Sequence, residues 1–314
     1  MKSAVFAGVV LGSLGAFLVA QFSAPFVASS LAGALGNSQE AVPPAMQEAP
    51  TPPNSQPEVL GAGFVSRPDR YEFCQTLSRD GRTLTIGVEH GQWQSIESYS
   101  WDGAQWVGPK PVIGKPNYNA HDPYLSADEQ RLYFITKVRG TADLAYLPRE
   151  IDGSWGEAVF LDAPVNSDSD DYYTSITKNG AVFLSSNRGG QGFDLYEAPL
   201  EGGEEAIRLP DGINMRAYEG DPFIDPDRRY LIFASNRRDG AGRGDIYLSV
   251  AKEDGGWSHP IAFDERVNTK GHELCPQVSL DGSAFMFTSN EDIYWVSSAI
   301  IDEMIAAYEA SAEE

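Results

Sequence analysis

The segment SNRGGQGFDLY, residues 186–196, recurs as SNRRDGAGRGDIY at 235–247 and, shortened, as SNEDIY at 289–294. A chain that repeats itself folds as a stack or ring of like units, because one unit cannot bury its apolar face alone. A second shared element precedes each copy: YTSITKNGAVFLS (173–185), DPFIDPDRRYLIFA (221–234) and CPQVSLDGSAFMFT (275–288). It recurs at DPYLSADEQRLYFIT (122–136) and more faintly at CQTLSRDGRTLTIGV (74–88). The second residues of these segments, Gln75, Pro123, Thr174, Pro222 and Pro276, are 48, 51, 48 and 54 residues apart.

Each unit reads as four short strands. An alternating strand leads to a DG-type turn (Asp80-Gly81, Asp281-Gly282), and the run beyond it, such as LYFIT or LIFAS, is apolar and β-prone. That is the pattern of a strand covered on both faces. The DLY or DIY tripeptide opens a third strand, and a DGxW-like turn (Asp102 to Trp106, Asp152 to Trp155, Asp254 to Trp257) leads into a fourth. Four strands in about 50 residues, repeated radially, define a β-propeller blade. The fifth unit, about 272–298, supplies three strands, and PEVLGAGFVS at 57–66 has no unit of its own. The expectation is an all-β propeller of five four-stranded blades, closed by this N-terminal strand, which removes a sheet edge. A six-bladed ring is the alternative and needs a degenerate unit. The tail AIIDEMIAAYEA, 299–310, has apolar residues at helical spacing and predicts a short packing helix.

The glycines of SNRGGQGFDLY invite comparison with an anion-cradling loop. Six residues separate its asparagine from its aspartate, against eight and one in the two later copies. A cradle does not tolerate such length changes, whereas a hairpin between second and third strands does. The glycines are turn glycines.

These units, FLSSNRGGQGFDLYEAPL, IFASNRRDGAGRGDIYLSV and EDIYWVSSAIIDEM among them, resemble the WD40-like β-propeller repeats of the TolB-type family over residues 71–302. The resemblance implies an exported bacterial propeller that acts as a binding scaffold in the periplasm or at the envelope. Units one and two depart from the signature, with Val88-Glu89-His90 and Thr136-Lys137 where the later units have SNR or SNE.

The N-terminus fits export. No charged residue lies between Lys2 and Glu40, and residues 4–20 form an apolar run behind one lysine. Residues 1–36 read as a signal peptide or, alternatively, an uncleaved membrane anchor. Residues 37–57 hold six prolines and read as a linker, with the propeller at 58–298 and the helix and tail at 299–314. A net charge of −22 argues against nucleic acid as a partner.

The repeat lets equivalent positions be compared. Three residues before the Gln/Pro/Thr column stand Glu72, Ala120, Asp171, Glu219 and Glu273, and one residue before it stand Cys74, Asp122, Tyr173, Asp221 and Cys275. First strands line a propeller's channel, so both columns are expected near one mouth. The candidate binding residues are Glu72, Asp122, Asp171, Glu219, Asp221 and Glu273, facing a protein, a glycan or Ca²⁺. The competing use is a loop clasp, since Asn166, Asn214 and Asn268 each precede one of these carboxylates by five positions. Cys74 and Cys275 share a column in the first and last units, which a closed ring makes neighbours. They are a disulfide candidate.

Enzyme signatures are weak. His90, His121, His259 and His272 form no metal-binding spacing, and no nucleophile elbow is present. His121 and Asp122, adjacent on a strand, are expected on opposite faces. NSDSDD, 166–171, lacks the glycine and distal glutamate of a calcium loop. No cofactor is expected. A non-catalytic binding module for an envelope protein or glycan is therefore the first expectation. The alternative is a glycoside hydrolase using Asp122, Asp171, Glu219 or Asp221 as acid and nucleophile or base.

Overall fold

The computed structural model describes residues 48–312 apart from 204 and 216. The apolar run and the first part of the proline-rich stretch, 1–47, lie outside the described residues. Among the described residues no helix is long and apolar enough to cross a membrane.

Twenty strands form five antiparallel sheets. Blade one contains β2 (Tyr71–Leu77), β3 (Thr83–Glu89), β4 (Gln94–Trp101) and β5 (Trp106–Ile113). Blade two contains β6 (His121–Leu125), β7 (Arg131–Thr136), β8 (Asp143–Pro148) and β9 (Val159–Phe160). Blade three contains β10 (Asp171–Ile176), β11 (Ala181–Ser186), β12 (Asp194–Pro199) and β13 (Ile207–Arg208). Blade four contains β14 (Glu219–Ile224), β15 (Tyr230–Ser235), β16 (Asp245–Val250) and β17 (Ile261–Ala262). Blade five has β18 (Glu273–Val278), β19 (Ala284–Ser289) and β20 (Asp292–Ser297), and its outer strand is β1 (Glu58–Val59) from the N-terminal side. The five-bladed ring closed by an N-terminal strand is the architecture the repeat predicts.

Closure is apolar as well as hydrogen-bonded. Glu58 pairs with Trp295 and Val59 with Tyr294. Just beyond, Leu60 and Val65 are fully buried between Leu84, Ile86 and Tyr99 of blade one and Met286 and Ile293 of blade five. Residues 48–57 are tied to the same two blades: the Glu48 carbonyl accepts from Trp101 Nε1 at 3.1 Å and the Pro53 carbonyl from the Ser297 N–H at 2.7 Å. Helix α1 (Ala299–Ala312) buries Ile300 and Ile301 against Phe223, Tyr230 and Phe285.

Every inner strand carries the same defect. Opposite Gly87 and Ile86 of β3, strand β2 has three residues, Phe73 to Gln75, and β6, β10, β14 and β18 are out of register at the matching place. The residue at each bulge has a positive φ: Cys74 43°, Asp122 54°, Tyr173 49°, Asp221 51° and Cys275 53°. None is glycine, so each costs on the order of 1–3 kcal/mol of backbone strain. A fivefold-repeated strain at the axis marks the place where the sheet turns side chains toward the channel.

Candidate functional site at the channel mouth

The inner strands run side by side, β2 next to β6 and β18, and β14 next to β10 and β18. Their first halves surround an open cavity of about 710 Å³. Alternation along each strand sends the residues two and four places before the Gln/Pro/Thr column toward it: Phe73, His121, Tyr172 and Leu274 from one ring, Tyr71, Asn119, Tyr218 and His272 from the other. The residues three places before the column point the opposite way. The bulge then breaks the alternation, so that Cys74, Asp122, Asp221 and Cys275 join the same wall as their preceding neighbours. His121 and Asp122 accordingly share the cavity, with Nδ1 and Oδ1 3.2 Å apart. This corrects the expectation that they face opposite ways. Strict alternation fails where a non-glycine residue takes a positive φ.

The floor is formed by Cys74, Tyr173 and Cys275 packed with Phe73. Cys74 and Cys275 are joined by a disulfide, with Cα atoms 4.9 Å apart, linking blades one and five at the axis. The N–H groups freed by the bulges find partners on the neighbouring blade. Thr288 Oγ1 accepts from the Cys74 N–H and Asp221 Oδ2 from the Cys275 N–H, both at 3.0 Å.

Two carboxylates border this floor. Asp122 is only 9% exposed, and its polar partner is His121. An Asp122 oxygen also lies within 4.8 Å of both sulfurs, but disulfide sulfurs are not the thiolates a metal ion takes. Burial, with the Asp122 charge beside it, pushes the Asp221 carboxyl up to about 7. Aromatic side chains form much of the wall. Burial raises the Tyr71 hydroxyl to about 12 and lifts Tyr172 and Tyr218 as well, so all three are neutral donors. A Cβ at Gly220 would collide with the Tyr218 ring, so glycine there lets the ring lie across β14. Lys137 sits 5.2 Å over the Tyr172 ring and 3.7 Å from Asp170.

The other four candidate carboxylates stand behind the wall. Glu72, Asp171, Glu219 and Glu273 are fully buried under the loops that connect blades. Asp171 accepts from the Ser167 N–H and hydroxyl, Glu219 from the Met215 N–H and Ser235 hydroxyl, and Glu273 from the Thr269 N–H and Ser289 hydroxyl. Glu72 accepts from the Arg67 N–H and Arg70. A calcium ion would have to displace these donors. The preceding asparagines complete the clasp. Asn166 bridges Leu144 and Leu161, Asn214 bridges Leu195 and Leu209, and Asn268 bridges Ile246 and Phe263, each by three bonds to backbone.

The SNR arginines belong to the same clasp. Arg188 donates to the Pro164 and Val165 carbonyls and to Asp171 at 2.6 Å, beside the Tyr196 ring. Arg237 donates to the Ile213 carbonyl and lies 3.5 Å from Glu219. Unit one, which lacks SNR, recruits Arg70 from outside the motif. It reaches the Val65 carbonyl, Glu72 and Glu97.

The aromatic lining was not among the residues picked out from the sequence. Its signal was available in the even-numbered columns, where tyrosine, phenylalanine and histidine recur before each Gln/Pro/Thr position.

No protein-family model matches the chain, and no curated protein does. Solved structures are similar to it. A putative TolB from Agrobacterium tumefaciens is 19% identical, with 70% of each chain covered and a TM-score of 0.48. TolB from Acinetobacter baumannii is 12% identical over 73% of this chain and 55% of that one, with a TM-score of 0.45. The described residues form a propeller of five four-stranded sheets. A gluconolactonase from Xanthomonas campestris is 13% identical over 80% of this chain and 98% of that one, with a TM-score of 0.42. At such identities the likeness concerns the fold alone.

Proposed function

We propose that the protein is a non-catalytic binding module that receives part of a protein or glycan partner in the channel mouth, outside the cytoplasm. The carrying observation is the asymmetry between the two mouths. One opens into the cavity of about 710 Å³ with aromatic walls and the carboxylates Asp122 and Asp221 at its floor. At the other, Arg79 ties the turns together through the Leu280 and Ala127 carbonyls, beside a cavity of about 360 Å³. Concave, aromatic-walled sites with a few convergent polar groups are the usual form of ligand sites. The disulfide and the charge-free N-terminal segment support placement in the periplasm or envelope. The test is capture of envelope components by the full chain. Tyr172→Ala at the open mouth abolishes capture and Lys178→Ala at the opposite mouth preserves it; the reverse pattern defeats the reading.

One observation favours a second reading. Asp122 and Asp221 share a pocket, and burial holds the Asp221 carboxyl up to about 7, where it could serve as a general acid. Asp171 and Glu219 would take no part, being committed to the clasp. Release of aryl alcohol from chromogenic glycosides, lost in Asp122→Asn and in Asp221→Asn, would establish a hydrolase. No release from any of them removes it.

A further inference from the structure

Among the described residues, the floor of the mouth holds two carboxylates and no lysine or arginine. Asp122 and Asp221 are gathered round one residue, Cys275: the first lies within 4.8 Å of its sulfur, the second accepts its N–H. Each is only 9% exposed. Asp221 faces Asp122 and His121 from β6, Tyr71 from β2, Tyr173 from β10 and Tyr218 beside its own strand. Among the described residues, no lysine or arginine is paired with either carboxylate. Among the described residues, the lysine and arginine of the cavity lining, Lys137 and Arg243, are both exposed, and Lys137 is drawn to Asp170. Clasp carboxylates elsewhere in the ring do receive arginines, Asp171 from Arg188 and Glu219 from Arg237. Among the described residues, the two at the mouth receive none.

An anionic ligand is repelled by such a floor. A neutral hydroxyl could accept a hydrogen bond from the protonated Asp221 but would bring the Asp122 carboxylate no positive charge beyond its contact with His121. A cation opposes both, and the aromatic side chains of Tyr71, Phe73, Tyr172 and Tyr218 that line the cavity, Tyr172 already carrying Lys137 over its ring, form the kind of wall that suits an ammonium or guanidinium on an aliphatic stem. We propose that the mouth is a receptor for a lysine or arginine side chain on a projecting segment of a partner protein, with Asp122 and Asp221 as its counter-ions. The proposal rests on the mouth being the binding site. It adds the chemistry of what enters.

Binding is then linked to a proton. The empty site holds Asp221 largely protonated below about pH 7, and the incoming cation favours its ionised form, so a proton leaves as the ligand enters. Affinity rises with pH up to neutrality.

The experiment is a nuclear magnetic resonance titration of the full chain. The probes are capped pentapeptides with a central lysine, arginine or norleucine flanked by glycines, and a chitin disaccharide as a neutral polyol. The lysine and arginine peptides shift signals at the mouth, and norleucine binds about tenfold or more weakly. Asp122→Asn and Asp221→Asn each weaken the lysine peptide to a similar degree, and the peptide binds more tightly at about pH 8 than at about pH 5.5. Equal binding of norleucine and lysine, or binding of the disaccharide alone, overturns the cationic receptor and leaves the mouth as the site. If no probe binds while Tyr172→Ala still abolishes capture of the partner, the cationic proposal falls by itself. If capture also survives Tyr172→Ala, the mouth falls with it.

Discussion

Asp221 accepts a 3.0 Å hydrogen bond from the backbone N–H of Cys275, 54 residues later and one blade on. The bond closes off an N–H that the bulge at Cys275 removes from its sheet. It also holds a carboxyl in a buried position beside Asp122. Burial and that neighbour raise Asp221 from 3.8 to about 7. A carboxyl whose folded value lies above its unfolded one favours folding while protonated. Its contribution is complete below about pH 4 and lost as pH rises through about 7. Asp221→Asn removes this dependence. The unfolding free energy of the parent, from urea denaturation, should fall more than that of the variant between about pH 5 and about pH 8, by on the order of a few kcal/mol. Parallel profiles would show that Asp221 is not raised.

Arg237 is 6% exposed and meets Glu219, which is fully buried. Removing one partner of such a pair leaves a charge without its counterpart, at a cost of roughly 3–5 kcal/mol. Arg237→Ala should lower the unfolding free energy by that order. Arg237→Lys should recover little, since an ammonium cannot serve the Ile213 carbonyl, the Ser235 hydroxyl and Glu219 together. The exposed Lys178–Asp227 pair is the control, and Lys178→Ala should change stability by about 1 kcal/mol or less.

The propeller was legible because its units repeat in one chain, so five weak strand patterns reinforce one another. The clasp was half legible: Asn166, Asn214 and Asn268 keep a constant distance from their carboxylates, but Arg70 stands outside any repeat and is found only in three dimensions. The mouth was least legible. Strand alternation assigns Cys74 and Glu72 to one face, and the bulge at Cys74 undoes that assignment. Nothing in the residue types Cys, Asp and Tyr announces a positive φ shared by all five.

The Cys74–Cys275 disulfide spans 201 residues and fastens the seam where β1 closes the ring. On a chain-entropy model such a loop is worth about 5 kcal/mol. Reductant should lower the denaturation midpoint of the parent and leave that of the Cys74→Ser/Cys275→Ser double variant unchanged. Equal midpoints for the parent and double variant without reductant would contradict this.

Leu60 is fully buried at the same seam, against residues of both terminal blades. Leu60→Ala should cost roughly 2–5 kcal/mol through the cavity it leaves. Protease should then cut first near β1, whose pairing with β20 is only two residues long. Uniform cleavage across all blades would show that the seam is no weaker than the rest.

Entry of the partner at the open mouth leaves a footprint on the mouth's tyrosines. Hydroxyl-radical footprinting by mass spectrometry, with and without the captured envelope partner, tests it most directly. Tyr71 and Tyr172, half-buried on the mouth wall, should lose reactivity on binding, while Tyr308 on α1 keeps its own. Unchanged reactivity at Tyr71 and Tyr172, with protection on another face, would contradict the account.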